Sequence, residues 1–253
     1  MNEILLSEIT IYPVKSCKGI SLKEVAIDHA GPRMDRRWMI VDSEGVFISQ
    51  RDCAKLAMVH TGLDDRFLFL SVPGSTPYML ALNTSGTPRT VQVWKRTLEA
   101  VDMGDSVAKW LSQFLKVECR LVYLPASDES LSFVDRLPLH LISSSSFQDL
   151  AARLGKKIRA NRFRPNLVVS CDKPFEEDSW KRIQIGDVVF CLEKPCVRCI
   201  VPAIDQETVQ RNDDTLKTLA TFRKGEKGIT FGQLLRPENT GIIRTGQKIT
   251  VLE

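Results

Sequence analysis

The sequence lacks a long apolar run. Its opening, MNEILLSEIT, holds three consecutive apolar residues before polar ones return, far short of a secretory leader or a membrane span, so the chain reads as cytoplasmic with no membrane partner. Histidine is scarce: only His29, His60 and His140 occur. They are too scattered for a His-dominated metal site, and structural roles are expected for them. No G-x-G-x-x-G follows a strand-like run, and no P-loop, H-E-x-x-H or G-x-S-x-G elbow is found, which argues against the enzyme classes built on them. There is no internal repeat, no long Gly/Pro/Ser linker, and no low-complexity segment beyond four consecutive serines at 143–146. Basic residues are spread rather than clustered. Lys+Arg 35 against Asp+Glu 31 gives a formal charge of +4, a mild bias that favours a small anionic ligand and does not resemble a nucleic-acid footprint.

What is present describes a globular chain. At 253 residues, with 43% hydrophobic and 26% charged residues, it is long enough for one large domain or two smaller ones without disulfide staples. Short β-branched runs dominate, at 9–14, 38–42, 91–94, 120–124, 167–170, 188–192 and 248–252. Turn signals such as Ser43-Glu44-Gly45 and Ile185-Gly186-Asp187 separate them, the pattern of a largely antiparallel sheet or barrel. Two helices are expected. One follows Gly104-Asp105 and turns Val107, Trp110, Leu111, Phe114 and Leu115 to a core; the other follows the serine run with Phe147, Leu150, Ala151 and Leu154. A soft boundary near residue 120 divides domains 1–120 and 121–253, before a polar loop at 125–136.

Seven cysteines form an odd set with irregular spacing, expected to be reduced and mostly small buried apolar residues. The segment Glu193-Lys194-Pro195-Cys196-Val197-Arg198-Cys199 has the one CxxC spacing. A structural zinc site would need two further ligands, and no second CxxC or CxxH exists. A thioredoxin-like pair would open a helix, whereas this one follows a strand-like run. A single thiolate ligand to a soft metal, its anion favoured by Lys194 and Arg198, is the third reading. Two buried cysteines remain the fourth.

Four clusters could bind an anion. Tyr12-Pro13-Val14-Lys15-Ser16-Cys17-Lys18-Gly19 ends a strand in a turn with a cation, a hydroxyl and a flexible glycine, or is a solvated turn. Asp35-Arg36-Arg37-Trp38 suits a phosphate or an Asp35 salt bridge. In the serine run Ser146 and Asp149 can form a variant capping box whose helix N-terminus attracts anions. In Asn161-Arg162-Phe163-Arg164-Pro165-Asn166, the proline is expected to hold Arg164 extended, and its amides and guanidinium groups can read a polar heterocycle or a phosphate.

The order of these segments is more specific than any one of them. YPVKSCKG, DRRW, LHLISSSSF, NRFRPNLVVSC, EEDSW, CVRC and the closing FGQLL and GIIRTGQKITV resemble, over nearly the whole chain, the MOSC family with its N-terminal β-barrel extension, and most closely the mitochondrial amidoxime-reducing component and bacterial reductases of N-hydroxylated bases. The resemblance implies a β-rich α+β fold: a MOSC β-barrel domain packed with an N-terminal β-barrel-like domain and a few helices. It implies Mo-molybdopterin, with Cys199 as metal ligand and catalytic residue. It further implies cofactor contacts at Lys15, Ser16, Arg36, Ser144, Ser145, Ser146, Arg164, Asn166, Val197 and Arg198. A pyridoxal phosphate association attaches to the wider superfamily.

The same resemblance implies reduction of a small N-hydroxylated substrate, with electrons from a separate ferredoxin or cytochrome b5-like protein and its reductase. The chain departs from its nearest resemblance after the cysteine, where Val201-Pro202-Ala203-Ile204-Asp205 replaces Thr-Thr-Val-Asp-Pro and removes both hydroxyls. It also has no C-x4-C-x2-C spacing for a ferredoxin domain. Asp205 matches an acidic position that holds the loop or serves the substrate. The alternative function is a cofactor or sulfur carrier without turnover, related to the C-terminal part of molybdenum-cofactor sulfurases. A third is a non-catalytic β-rich interaction domain with zinc or no metal.

Overall fold

The computed structural model describes residues 3–82, 86–125 and 132–253; part of the polar loop expected at 125–136 therefore lies outside the described residues. The chain forms two compact units that interleave in sequence. The first comprises residues 1–11, 21–33 and 136–253, the second residues 12–20 and 34–135.

In the first unit the main sheet places, side by side, Ile249–Val251, Arg182–Ile185, Val188–Val197, Gly228–Pro237, Leu139–Ser143, Leu167–Ser170 and Leu5–Ile11. Pairing is antiparallel except between Leu139–Ser143 and Leu167–Ser170, which run parallel. The strand Leu139–Ser143 is buried along its length, as befits a continuous apolar run covered on both faces. The strand expected over 188–192 continues to Val197 and so carries Cys196, with register shifts at Leu192/Lys194 and Pro195/Val197. Pro195 cannot donate to a ladder, and an irregularity is where a strand tolerates it.

Helix α1 (Asp105–Leu115) belongs to the second unit, and helices α2 (Ser144–Leu154) and α3 (Asp214–Phe222) to the first. The apolar face expected for α1 is the one observed: Val107, Leu111 and Leu115 are buried, with Trp110 and Phe114 packed against the same cluster. On α2, Leu150 is buried and Phe147 and Leu154 pack beside it, with Phe163, Leu219 and Phe231 in the same core. Helix α3 was not expected.

The second unit holds a four-stranded sheet in the order Trp38–Val41, Arg120–Tyr123, Arg96–Asp102, Thr87–Val93, and a three-stranded meander of His60–Leu63, Phe67–Ser71 and Tyr78–Ala81. Its main core joins Trp38, Ile40, Leu68, Leu70 and Leu121 to the apolar face of α1. Among the described residues no helix is long and apolar enough to cross a membrane.

Candidate functional site

In the first unit, Leu139–Ser143 feeds directly into α2, and the serine run spans the junction. Ser143, not Ser146, is the N-cap: its backbone is extended (φ −93, ψ 148) and its hydroxyl accepts from the Ser146 N–H at 3.1 Å. The expected Ser146/Asp149 box does not form, and Asp149 instead pairs with Arg153 one turn on. The helix begins where the fully buried strand ends, so the cap falls on the last strand residue.

The anion at this helix start is internal. Glu177 is completely buried, and its carboxylate accepts from the Ser143 N–H at 3.3 Å and the Ser146 hydroxyl at 2.9 Å. A carboxylate there is favoured by the N–H groups and the dipole of α2. Ser145 donates to the Lys173 carbonyl at 3.0 Å and lies 3.3 Å from Cys171 Sγ. Burial pushes the Cys171 thiol up, against the pull of hydrogen bonds from Ser145 and Ser143. Ser144, half-buried, makes no side-chain hydrogen bond among the described residues. Glu177 and its neighbour Asp178, which pairs with Arg223 at 2.6 Å, give the EEDSW segment a structural purpose that its charge run alone did not disclose.

The NRFRPN turn and the CVRC loop meet. Arg198 donates to Cys196 Sγ at 2.9 Å and to the Phe163 carbonyl at 2.9 Å, and lies 3.3 Å from His140 Nε2. Its guanidinium also stands 5.4 Å from the Phe163 ring centre, and its buried Nε has no partner among the described residues. Arginine is therefore directed at Cys196 and not at Cys199. Of the seven cysteines, Cys199 alone is exposed. It follows the end of the strand at Val197, which is half-buried and paired with Thr230.

Beyond Cys199, Pro202, Ala203 and Ile204 turn inward, and Asp205 ties the segment down. Asp205 accepts from the Glu207 and Thr208 N–H groups, each at 3.0 Å, and pairs with Arg162 at 2.5 Å. Partial burial raises this carboxyl, but the Thr208 and Glu207 N–H groups and the Arg162 charge outweigh that and hold it below the ordinary range. Of the two roles open to Asp205, loop holding is the one its contacts serve.

Arg164 corrects an expectation. It is not extended but left-handed (φ 53, ψ 50), ending the short turn Ala160–Phe163 with its N–H on the Asn161 carbonyl at 3.1 Å. Proline bars the right-handed helical region to its predecessor, and the closing turn takes the left-handed exit instead. Asn166 is 1% exposed; its Nδ2 donates to the Thr10 carbonyl at 3.1 Å and its Oδ1 accepts from the His140 N–H at 3.2 Å. That side chain is built into the sheet.

The remaining candidates lie in the second unit. Lys15 is buried; its ammonium donates to the Phe133 carbonyl at 2.8 Å and pairs with Asp135. Burial lowers its pKa to about 8, partly countered by Asp135 and assisted by Arg36 and Arg96. Ser16 is left-handed (φ 68), and its carbonyl accepts from Gln50 at 2.7 Å. Arg36 is also left-handed (φ 50), pairs with Asp35 and lies over the Tyr12 ring at 4.4 Å. Of the alternatives for DRRW, the Asp35 salt bridge is present, and Asp35 also accepts from the Tyr12 N–H at 2.7 Å.

Residues 3–118 match the MOSC N-terminal beta barrel domain and residues 128–250 the MOSC domain. Mitochondrial amidoxime reducing component 2 of Rattus norvegicus is 31% identical over 96% of this chain and 82% of that protein. The chain belongs to the MOSC family. Molybdenum cofactor sulfurase of Drosophila grimshawi is 32% identical over 98% of this MOSC chain, which spans 34% of that protein. Among solved structures, the YUAD protein of Bacillus subtilis is similar at 12% identity with a TM-score of 0.45, over 98% of this MOSC chain and 94% of the other.

Among the described residues of this MOSC chain, no group of three or more His, Cys, Asp or Glu is arranged to hold a metal ion. The exposed thiol among the cysteines is that of Cys199. Three left-handed non-glycine residues, Ser16, Arg36 and Arg164, coincide with positions that the family resemblance marks for the cofactor. Each such residue costs on the order of 1–3 kcal/mol and is retained where its surroundings hold it.

Proposed function

We propose that this protein is a molybdenum-cofactor-dependent oxidoreductase that reduces N-hydroxylated compounds. The observation that carries the reading is the exposure of Cys199, the last residue of CVRC, while Cys196 is occupied by Arg198. Cys199 is the thiolate that ligates molybdenum, and Lys15, Ser16, Arg36, Ser144, Arg164, Val197 and Arg198 hold the pterin and its phosphate. Cations, hydroxyls and strained turns suit an anionic, polar heterocycle. Ser145 and Ser146 serve from behind, through the internal network around Glu177 and Lys173, and Asn166 supports the strand that leads to them.

When bound, the cofactor supplies the two-electron chemistry that removes oxygen from nitrogen, taking up two protons and leaving an amine and water. The chain's part is to present Cys199, to fix the loop behind it through Asp205 and Arg162, and to neutralise the ligand's charge. Electrons arrive from a separate ferredoxin or cytochrome b5-like protein. This reading sets the protein in the cytoplasm, where an odd set of irregularly spaced cysteines is expected to stay reduced. With a division at residue 120, Lys15, Ser16 and Arg36 belong to the part before it, and Cys199 with the other contacts to the part after it.

The test is reduction of benzamidoxime by reduced methyl viologen, with molybdenum and pterin measured in the same preparation. Turnover and metal in the wild type, and loss of both in Cys199→Ser, are expected. Protein from a cofactor-competent host that contains neither overturns the reading. Similarity to sulfurases favours a second reading, a carrier with sulfur on Cys199; intact-mass measurement showing one added sulfur, absent in Cys199→Ser, would support it.

A further inference from the structure

The second unit carries an aromatic and cationic cluster of which the proposed cofactor contacts use Lys15 alone. Trp94 stands at the turn between Thr87–Val93 and Arg96–Asp102 with φ 57, and it is 46% exposed. Tight hairpin turns obtain positive φ from Gly, Asn or Asp; a bulky aromatic there is an outlier.

The guanidinium of Arg51 lies over that ring at 4.3 Å, and the ring of Phe47 is 5.1 Å from it. Arg51 is exposed, and Nε is its one side-chain nitrogen with a hydrogen bond among the described residues, to Ser49 Oγ at 3.1 Å. The ring contact and the Nε bond hold a planar cation whose two terminal nitrogens make no hydrogen bond among the described residues. Asp135 links the cluster to Lys15: it accepts from Trp94 Nε1 at 2.9 Å and pairs with the Lys15 ammonium. Around that carboxylate stand Lys15 and Arg51; Arg96 acts on Lys15 and bonds the Ser132 and Val134 carbonyls. Lys95, exposed, is the next residue after Trp94.

Among the described residues the cations Lys15, Arg51, Lys95 and Arg96 outnumber the carboxylates Asp52 and Asp135 here, so an acidic visitor is favoured. The cavity described in this unit, about 340 Å³, is lined by Gly86, Arg89, Asp102, Asp105 and Arg120 among others and includes none of these residues. A hairpin tip with an exposed tryptophan and an exposed arginine suits another protein's surface. Tryptophan and arginine are residue types on which interfaces concentrate binding energy.

We infer that Trp94 and Arg51, tied to Lys15 through Asp135, form the docking contact for an acidic redox protein, the electron donor of the proposed reduction. This rests on that reading for the donor's purpose; the charge and the strained ring stand without it. Contacts of this kind are small, driven by charge and weakened by salt.

The test is calorimetric titration of the full chain with an acidic plant-type ferredoxin and, separately, with the soluble haem domain of a cytochrome b5, at low and moderate ionic strength. The wild type is expected to bind at least one of them, more weakly as salt rises. Arg51→Glu is expected to bind at least tenfold more weakly with a flatter salt dependence, and Arg51→Lys to fall between. Because Arg51 is exposed, the melting curve of Arg51→Glu should match the wild type. Binding of neither protein, or equal binding by Arg51→Glu, overturns the inference. Viologen-driven benzamidoxime turnover is measured alongside; its absence with docking intact overturns the reductase reading and leaves the docking contact standing.

Discussion

The Glu177 carboxylate meets the Ser146 hydroxyl at 2.9 Å in a wholly buried position at the start of α2. Ser146 in turn accepts from the Phe175 N–H at 2.6 Å, so one contact joins the helix start to the 175–178 turn. Whatever anion the family's cofactor brings, the deepest part of this helix terminus is already taken by the chain's own carboxylate, and Ser144 is the serine left for a ligand.

Glu177→Ala should therefore destabilise the protein even without cofactor. It leaves the Ser143 N–H and Ser146 hydroxyl buried without their acceptor, at a cost of about 1–3 kcal/mol. Thermal melting of the apo protein should show a loss of roughly 2–4 °C per kcal/mol, and Glu177→Gln should recover part of it. An unchanged melting temperature in the alanine variant would refute the network.

Lys15 makes stability depend on alkaline pH. Its pKa is lowered from 10.5 to about 8 in the folded state, so between these values the unfolded chain binds one more proton than the native one. Stability then rises with pH across that window, by up to about 1.4 kcal/mol per pH unit. This contribution is complete above about 10.5 and lost as pH falls through about 8. Urea unfolding of the wild type from pH 7.5 to 10.5, compared with Lys15→Met, checks it: the difference in slope should follow Lys15 alone.

Cys199 should be the thiol that iodoacetamide reaches first in the native protein, with Cys17, Cys53 and Cys119 protected until unfolding. Peptide mass mapping after brief labelling reads the order directly. Labelling of a buried cysteine ahead of Cys199 would contradict the exposure described.

Asp205→Ala should loosen the segment behind Cys199, since it removes two backbone hydrogen bonds and the Arg162 pair. Amide exchange across residues 200–212 should quicken by about tenfold or more, for a local loss of roughly 1–3 kcal/mol. In the wild type the protection factors of the same amides, corrected for the intrinsic pH dependence of exchange, should fall only in acid. The Asp205 carboxyl is held below its ordinary range, so its contribution is present above the unfolded value of 3.8 and lost as pH falls through the lower folded value.

Periodicity disclosed what depends on local pattern. The apolar face of α1, the stripe on α2 and the antiparallel character of the sheets all follow from spacing, whereas the strand expected to stop at Leu192 runs on into CVRC. Features decided by distant partners were not disclosed. Helix α3 reads DTLKTLATF, rich in threonine, and is helical because Leu219 is buried against Ile142, Leu150 and Phe231. The left-handed Arg164 depends on the turn it closes, and Glu177 has the composition of a surface residue until the serine run folds over it. Arg198 stands beside both cysteines in sequence, and only the fold assigns it to Cys196.

The strand Leu5–Ile11 pairs with Leu167–Ser170, through contacts such as Leu5 with Ser170. During synthesis the first of these emerges from the ribosome more than 150 residues before the second, while the residues of the second unit emerge between them. The second unit can therefore assemble while the early strand, with Ile20–Leu22 on its other edge, still lacks its partner at Leu167–Ser170, and closure of the sheet is a late, long-range event. A nascent chain stalled near residue 160 should thus bind holdase chaperones through its own N-terminal segment.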